Sequence, residues 1–350
     1  MSWEDNVRRV VPYTPGEQPR IKNLIKLNTN ECPYPPAPQV AEKLKSINYE
    51  DLRLYPDPQA SALASAISGY YHVPMDQVFV GVGSDDVISM AFMAFFNSDR
   101  PILFPDVTYS FYDVWANLHG IPFERVPLDC DFKLVREGFL KENGGIIFPN
   151  PNAPTGIYED ISFVEDIVKN NPDVVVIVDE AYIDFGGKSA LPLIDKYENL
   201  LIVQTFSKSR AMAGMRIGYA FGSKKLIGYL QDVKFSFNSY TMNRPSLEVG
   251  AAALQDDEYF KDVCGKIIKT RERVKGRLRE LGFDFTDSMA NFIFARHRTI
   301  PGKDIAGDLR LKGIIVRRWD ADRISDYLRI SIGTDEEMDK LLIALKEIVA

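Results

Sequence analysis

From about residue 78 onward, short apolar runs alternate with longer mixed segments, and this rhythm constrains the fold more than any other feature of the chain. Val78-Phe79-Val80-Gly81-Val82-Gly83 reads as a strand, Ser84 to Phe96 as a helix, and Pro101-Ile102-Leu103-Phe104-Pro105 as the next strand. Gly145 to Phe148, Val174 to Asp179, Leu200 to Thr205 and Arg216 to Phe221 continue the series. Apolar runs this short and this continuous are buried on both faces, so helices must cover them above and below. The predicted fold is α/β, a doubly wound and mainly parallel sheet.

After about residue 245 the texture changes. A charged helical stretch from Glu258 to Leu281 precedes apolar runs at 291–296, 313–317 and 327–333. A final helix carries Met338, Leu341, Leu342, Leu345 and Ile348 as one apolar stripe, the pattern of plain core packing. A smaller α+β domain is expected here. The predicted division is 1–35 as an N-terminal arm that also joins the small domain, 36–245 as the large domain, and 246–350 as the small C-terminal domain. The arm, rich in proline and polar residues, is expected to wrap over the small domain or to reach a partner subunit.

Composition narrows the function. With 45% apolar and 26% charged residues, the 350-residue chain is an ordinary globular one. Its net charge of −7 argues against nucleic acid or an anionic membrane as the main partner, while small anions remain possible wherever cations cluster. No apolar stretch approaches the length of a membrane span, and Met1-Ser2-Trp3-Glu4-Asp5 is no signal peptide, so a cytoplasmic location is expected. Cys32, Cys130 and Cys264 are far apart, as are His72, His119 and His297, which disfavours disulfides, a metal site and a histidine-based triad.

The candidate site gathers around Lys208, which leaves the strand Leu200 to Thr205 through Phe206 and Ser207. The carboxyl ends of strands are where open α/β sheets bind ligands. A lysine partly desolvated there is a neutral amine able to form a Schiff base with an aldehyde cofactor. A lone Ser-Lys-Ser is ordinarily a solvated surface lysine, so its surroundings must decide. Asp179 ends the most apolar strand, where a carboxylate needs a cation, such as a protonated pyridine nitrogen, or else caps the next segment. Tyr182, three residues on, can hydrogen-bond the phenolic oxygen of such a ring. Gly81-Val82-Gly83-Ser84-Asp85-Asp86 joins a strand to a helix, and the amides of Gly83, Ser84 and Asp85 can point at a phosphate. Asp85 suits that place if its side chain caps the helix while its amide binds. A dinucleotide fingerprint would have a third glycine where Asp86 stands. Arg216 brings a forked cation suited to phosphate, and Tyr109 can stack on a flat ring. Asn150 to Gly156 is a cluster of turn-formers that presents an amide at a strand end. Jointly these residues describe pyridoxal 5'-phosphate.

With these motifs in order and in spacing, the chain resembles the fold-type I pyridoxal-phosphate-dependent aminotransferases, and within them the histidinol-phosphate aminotransferase branch. The resemblance also takes in Leu27-Asn28-Thr29-Asn30-Glu31, Tyr55-Pro56-Asp57-Pro58-Gln59, Gly214 to Tyr219 and Tyr327 to Thr334. It implies that Lys208 carries the cofactor, that Asp179 pairs with the ring nitrogen and that Tyr182 binds the phenolic oxygen. Ser84, Asp85, Ser207 and Arg216 would hold the phosphate, Tyr109 would stack on the ring, and Tyr55 would reach the cofactor of the neighbouring subunit in a homodimer with shared sites. Many relatives have asparagine where Ala153 stands, and Asn152 is expected to take over its bond to the ring oxygen. Arg329 and Arg317 match cations for the substrate's anionic groups, and Tyr13 resembles a tyrosine from the partner's arm. The implied reaction exchanges an amino group between histidinol phosphate and 2-oxoglutarate, in histidine biosynthesis. Competing readings are an aromatic aminotransferase or a threonine-phosphate decarboxylase of the same fold, a non-catalytic pyridoxal-phosphate-binding regulator, and a nicotinamide dehydrogenase.

Overall fold

The apolar runs become strands close to their expected bounds. The computed structural model describes residues 2–19 and 23–350; Met1 and residues 20–22, part of the expected arm, lie outside the described residues. In chain order the strands are β1 (Ile25–Leu27), β2 (Val78–Gly81), β3 (Ile102–Pro105), β4 (Phe123–Val126), β5 (Ile146–Pro149), β6 (Val176–Asp179), β7 (Leu200–Thr205) and β8 (Gly218–Phe221). The C-terminal part adds β9 (Phe283–Phe285), β10 (Phe292–His297), β11 (Ile314–Val316) and β12 (Leu328–Ser331).

A seven-stranded sheet in the order β2-β8-β7-β6-β5-β3-β4 forms the centre. Strands β4, β3, β5, β6 and β7 pair in parallel, and β8 runs antiparallel to both its neighbours, β7 and β2. The expected mainly parallel α/β sheet is therefore present. Both faces are buried: Val176 and Val178 of β6 enter one apolar cluster while Ile177 enters the other. The same alternation separates Leu200 and Ile202 from Leu201 and Val203 on β7. Strand β4 escaped the sequence reading because Phe-Glu-Arg-Val carries no apolar run; it lies at the sheet edge with Glu124 and Arg125 exposed, where charge discourages further pairing.

A second body holds the antiparallel sheet β12-β10-β9 and the parallel pair β1-β11, so the N-terminal strand joins residues nearly 290 positions away. Its core includes Leu278 of the long helix Asp257–Glu280, Leu309 of the helix Gly302–Leu311, and Leu341 and Leu345 of the helix Asp335–Val349. A buried cation fastens this body to the first. Arg271, 4% exposed, donates from Nη1 to the carbonyls of Phe185, just after β6, and Ala290, at 2.8 and 2.9 Å. Arg271→Met retains the apolar stem but strands both carbonyls, and should lower unfolding free energy by about 2–4 kcal/mol in urea titration. A change below about 0.5 kcal/mol, the range of ordinary surface substitutions, would contradict this.

Candidate active site

All parallel strands of the central sheet end on one edge, and Pro149, Asp179 and Thr205, the last residues of β5, β6 and β7, line a cavity of about 180 Å³ there. A second cavity of about 130 Å³ adjoins it, sharing Thr29, Tyr109, Ala153, Tyr182 and Lys208 as walls. The first lies over the large sheet. The second opens between it and the strands of the C-terminal body, where Arg317 and Arg329 stand.

Asp179 is the electrostatic centre of the first cavity. It is 5% exposed, and its carboxylate accepts from Tyr112 Oη at 2.9 Å and from the Ala181 amide at 3.1 Å. Burial raises its pKa to about 6, the two hydrogen bonds and the amine of Lys208 recovering only part of the desolvation penalty. A cavity lined by such a carboxylate fits a ligand that arrives with a positive charge. Lys208, half-buried, donates from Nζ to the carbonyl of Thr29 at 3.1 Å and lies 5.8 Å from the centre of the Tyr182 ring.

The other end of the cavity is built for an anion. Gly83, at φ +85°, caps the helix Ser84–Phe95, whose first amides have no partner within the helix. A side chain at Gly218 would come within 2.1 Å of the Gly83 carbonyl carbon and 2.3 Å of the Ser84 nitrogen, so glycine lets β8 press directly against this turn. Ser84, Ser207 and Arg216 line the same cavity. A cationic ring nitrogen at one end and a phosphate at the other fit this arrangement of donors and acceptors.

Two placements differ from the expectations. Asp85 does not cap its helix; its carboxylate instead accepts from Tyr109 Oη at 2.9 Å and pairs with Arg216 at 3.3 Å, because the strand-to-helix turn aims it into the cavity. Asn152 does not reach the cavity. Its amide nitrogen donates to the Val107 carbonyl and Thr155 Oγ1, its oxygen accepts from Thr108, and Ala153 forms the wall in its place. Tyr13 of the chain's arm stacks on Phe111 with ring centres 4.4 Å apart and lines the second cavity. Tyr55 stands outside both cavities, 79% exposed and 4.6 Å from the ring of Tyr240.

Arg317 and Arg329 sit opposite each other across an antiparallel bridge. Their side-chain hydrogen-bond partners are backbone carbonyls: Thr14 and Pro15 for Arg317, Asn28 for Arg329. Arg329 lies between Trp319 and Phe292, 5.3 and 5.4 Å from the ring centres, and its Nε has no hydrogen-bond partner among the described residues. Burial lowers its pKa, as expected for a cation whose counter-ion must come from elsewhere. Sequence reading missed Tyr112, although its position three residues after Tyr109 puts both on one side of a helical turn. It also gave no role to Thr29 and Asn30.

Residues 22–345 match the class I and II aminotransferases, and the chain belongs to that family. Along 99% of its length it is 49% identical to a histidinol-phosphate aminotransferase of Lactococcus lactis subsp. cremoris and 52% identical to histidinol-phosphate aminotransferase 1 of Hydrogenovibrio crunogenus, covering 98% of each. Among solved structures, a histidinol-phosphate aminotransferase from Sinorhizobium meliloti in complex with pyridoxal-5'-phosphate superposes with a TM-score of 0.83 at 25% identity, over 93% of this chain and 90% of that one. A putative histidinol-phosphate aminotransferase from Erwinia carotovora atroseptica shares the fold with a TM-score of 0.86 at 24% identity, over 93% and 96%. The chain is a transaminase dependent on pyridoxal 5'-phosphate.

Because the pKa of Asp179 lies above its ordinary 3.8, the folded state holds this proton more tightly than the unfolded chain. Its contribution to stability is therefore lost as pH rises from about 4 to 6, by on the order of 3 kcal/mol. Cofactor-free Asp179→Asn should match wild type near pH 4, be more stable above pH 6, and retain pyridoxal phosphate less well. Urea titration across that range checks this, and a variant less stable at neutral pH would contradict it.

Proposed function

We propose that the protein exchanges an amino group between histidinol phosphate and 2-oxoglutarate, with imidazole-acetol phosphate and glutamate as the pair in the biosynthetic direction of histidine synthesis. The observation that carries the substrate reading is the pair Arg317 and Arg329, two guanidinium groups in the second cavity whose hydrogen-bond partners are neutral carbonyls. Such a pair suits an anionic phosphate at one turn of the cycle and a carboxylate at the other. Arg329, deeper and with an Nε unpartnered among the described residues, serves both anions, and Arg317 adds charge for the phosphate.

Bound pyridoxal phosphate supplies an aldehyde that takes up the amino group and a protonated ring that draws electrons from the substrate's Cα. The side chains do the rest. Lys208 Nζ would be the attachment point for the aldehyde and, as a free amine, the base that holds and moves the substrate's Cα proton. The Thr29 carbonyl, 3.1 Å away, holds that amine at the mouth of β7. Asp179 would keep the ring nitrogen protonated, Tyr182 would donate to the phenolic oxygen, and Tyr109 would pack on the ring. Ser84, the amide of Asp85, Ser207 and Arg216 would hold the phosphate. Tyr13 closes the substrate side. The exposed position of Tyr55, beside Tyr240, supports a homodimer in which it serves the neighbouring site. We assign the protein to the cytoplasm and take 1–35, 36–245 and 246–350 as arm, large domain and small domain.

Purified protein should form glutamate from histidinol phosphate and 2-oxoglutarate, and Lys208→Ala should abolish this. Arg317→Ala should lower kcat/KM for histidinol phosphate by about 10- to 100-fold, as loss of a charge-assisted contact does, and affect glutamate less. Arg329→Ala should impair both. Turnover of phenylalanine without turnover of histidinol phosphate would overturn the substrate assignment.

A further inference from the structure

Asn30 is a buried residue just beyond β1, 1% exposed and in the left-handed backbone region at φ +57°, a conformation that asparagine tolerates better than most side chains. Its amide nitrogen donates to Tyr182 Oη at 3.0 Å. The orientation of that amide is dictated by Ser331 on β12. Ser331 Oγ accepts from the Asn30 backbone amide at 2.9 Å, so its single proton goes to Asn30 Oδ1, also at 2.9 Å. With Oδ1 turned to Ser331, Nδ2 must face Tyr182. An amide N–H can only donate, so the phenol oxygen is an acceptor in this pair and its own proton points elsewhere, toward the cavities that Tyr182 lines.

The backbone around Asn30 is held as firmly. Asn291 Nδ2 donates to the Asn30 carbonyl at 2.9 Å, and the Tyr182 ring meets Phe292 edge-on at 5.1 Å. The two preceding residues hold the other functional side chains. The Asn28 carbonyl accepts from Arg329 at 3.0 Å and the Thr29 carbonyl from Lys208 at 3.1 Å. Three consecutive residues thus register Arg329, Lys208 and Tyr182 against one another.

We propose that Asn30, locked by Ser331, is a positioning residue that sets the polarity of the Tyr182 hydroxyl, obliging it to donate to the phenolic oxygen of the bound cofactor. This rests on the reading of the first cavity as the pyridoxal phosphate site with Tyr182 at that oxygen. A hydrogen bond donated there favours the deprotonated form of the bound cofactor, so it lowers the pH at which the visible absorption band titrates.

The test is a spectral pH titration of cofactor-loaded wild type, Asn30→Ala, Tyr182→Phe and the double variant, with cofactor retention and thermal midpoint measured alongside. Asn30→Ala should raise the midpoint by about one pH unit, Tyr182→Phe by at least as much, and the double variant no further than Tyr182→Phe alone. Ser331→Ala, which frees the amide to turn, should shift the midpoint in the same direction by less, and keeps the proposal testable if Asn30→Ala folds poorly. A shift with Tyr182→Phe but none with Asn30→Ala or Ser331→Ala overturns the role of Asn30 alone, as do additive shifts in the double variant. No shift with Tyr182→Phe overturns the underlying placement of Tyr182, and the proposal with it.

Discussion

The carboxylate of Asp179, held out of water at the end of β6, is the constraint on which the site depends. A buried carboxylate is costly without a cation, and its protein partners are a phenol and an amide, both neutral. The strand that carries it is buried on both faces, so the side chain is left nearly buried, facing only the cavity it lines. The elevated pKa is the mark of that unmet need. In the proposed reading the cationic ring nitrogen meets it, and stability forgone in the free protein is recovered when the cofactor binds.

From that point the geometry follows the sheet. Parallel strands place Pro149, Asp179 and Thr205 in one row, and the antiparallel β8 brings Gly218 against the turn that opens the helix at Ser84. The second cavity depends instead on the C-terminal body. Its tie to the first is the segment after β1, which pairs with β11 and then passes between Arg329, Lys208 and Tyr182. Elements from both ends of the chain and from its middle thus meet within a few side chains.

Much of this was legible in the sequence, and the reasons are physical. Lys208 and Asp179 could be placed because apolar runs buried on both faces announce where strands end. Tyr109 and Arg216 followed from the same logic. Side-chain direction in irregular backbone is another matter: in the turn after β5, Asn152 bonds to Val107 and Thr155 and leaves the wall to Ala153. The sequence reading also could not anticipate that the Asp85 carboxylate would meet Tyr109 and Arg216, since this depends on how β8 approaches β2. Short strands such as β4 and β9 carry too few apolar residues to stand out. Asn30 and Tyr112 are ordinary residue types whose roles come from partners distant in sequence, Ser331 and Asp179.

The most direct measurement is an isotope-edited infrared titration of the Asp179 carboxyl in cofactor-free and pyridoxal-phosphate-loaded protein. The predicted midpoint is about 6 without cofactor, falling below the ordinary carboxylate value once the cationic ring is bound. A midpoint unchanged by the cofactor would contradict the pairing on which the site is built.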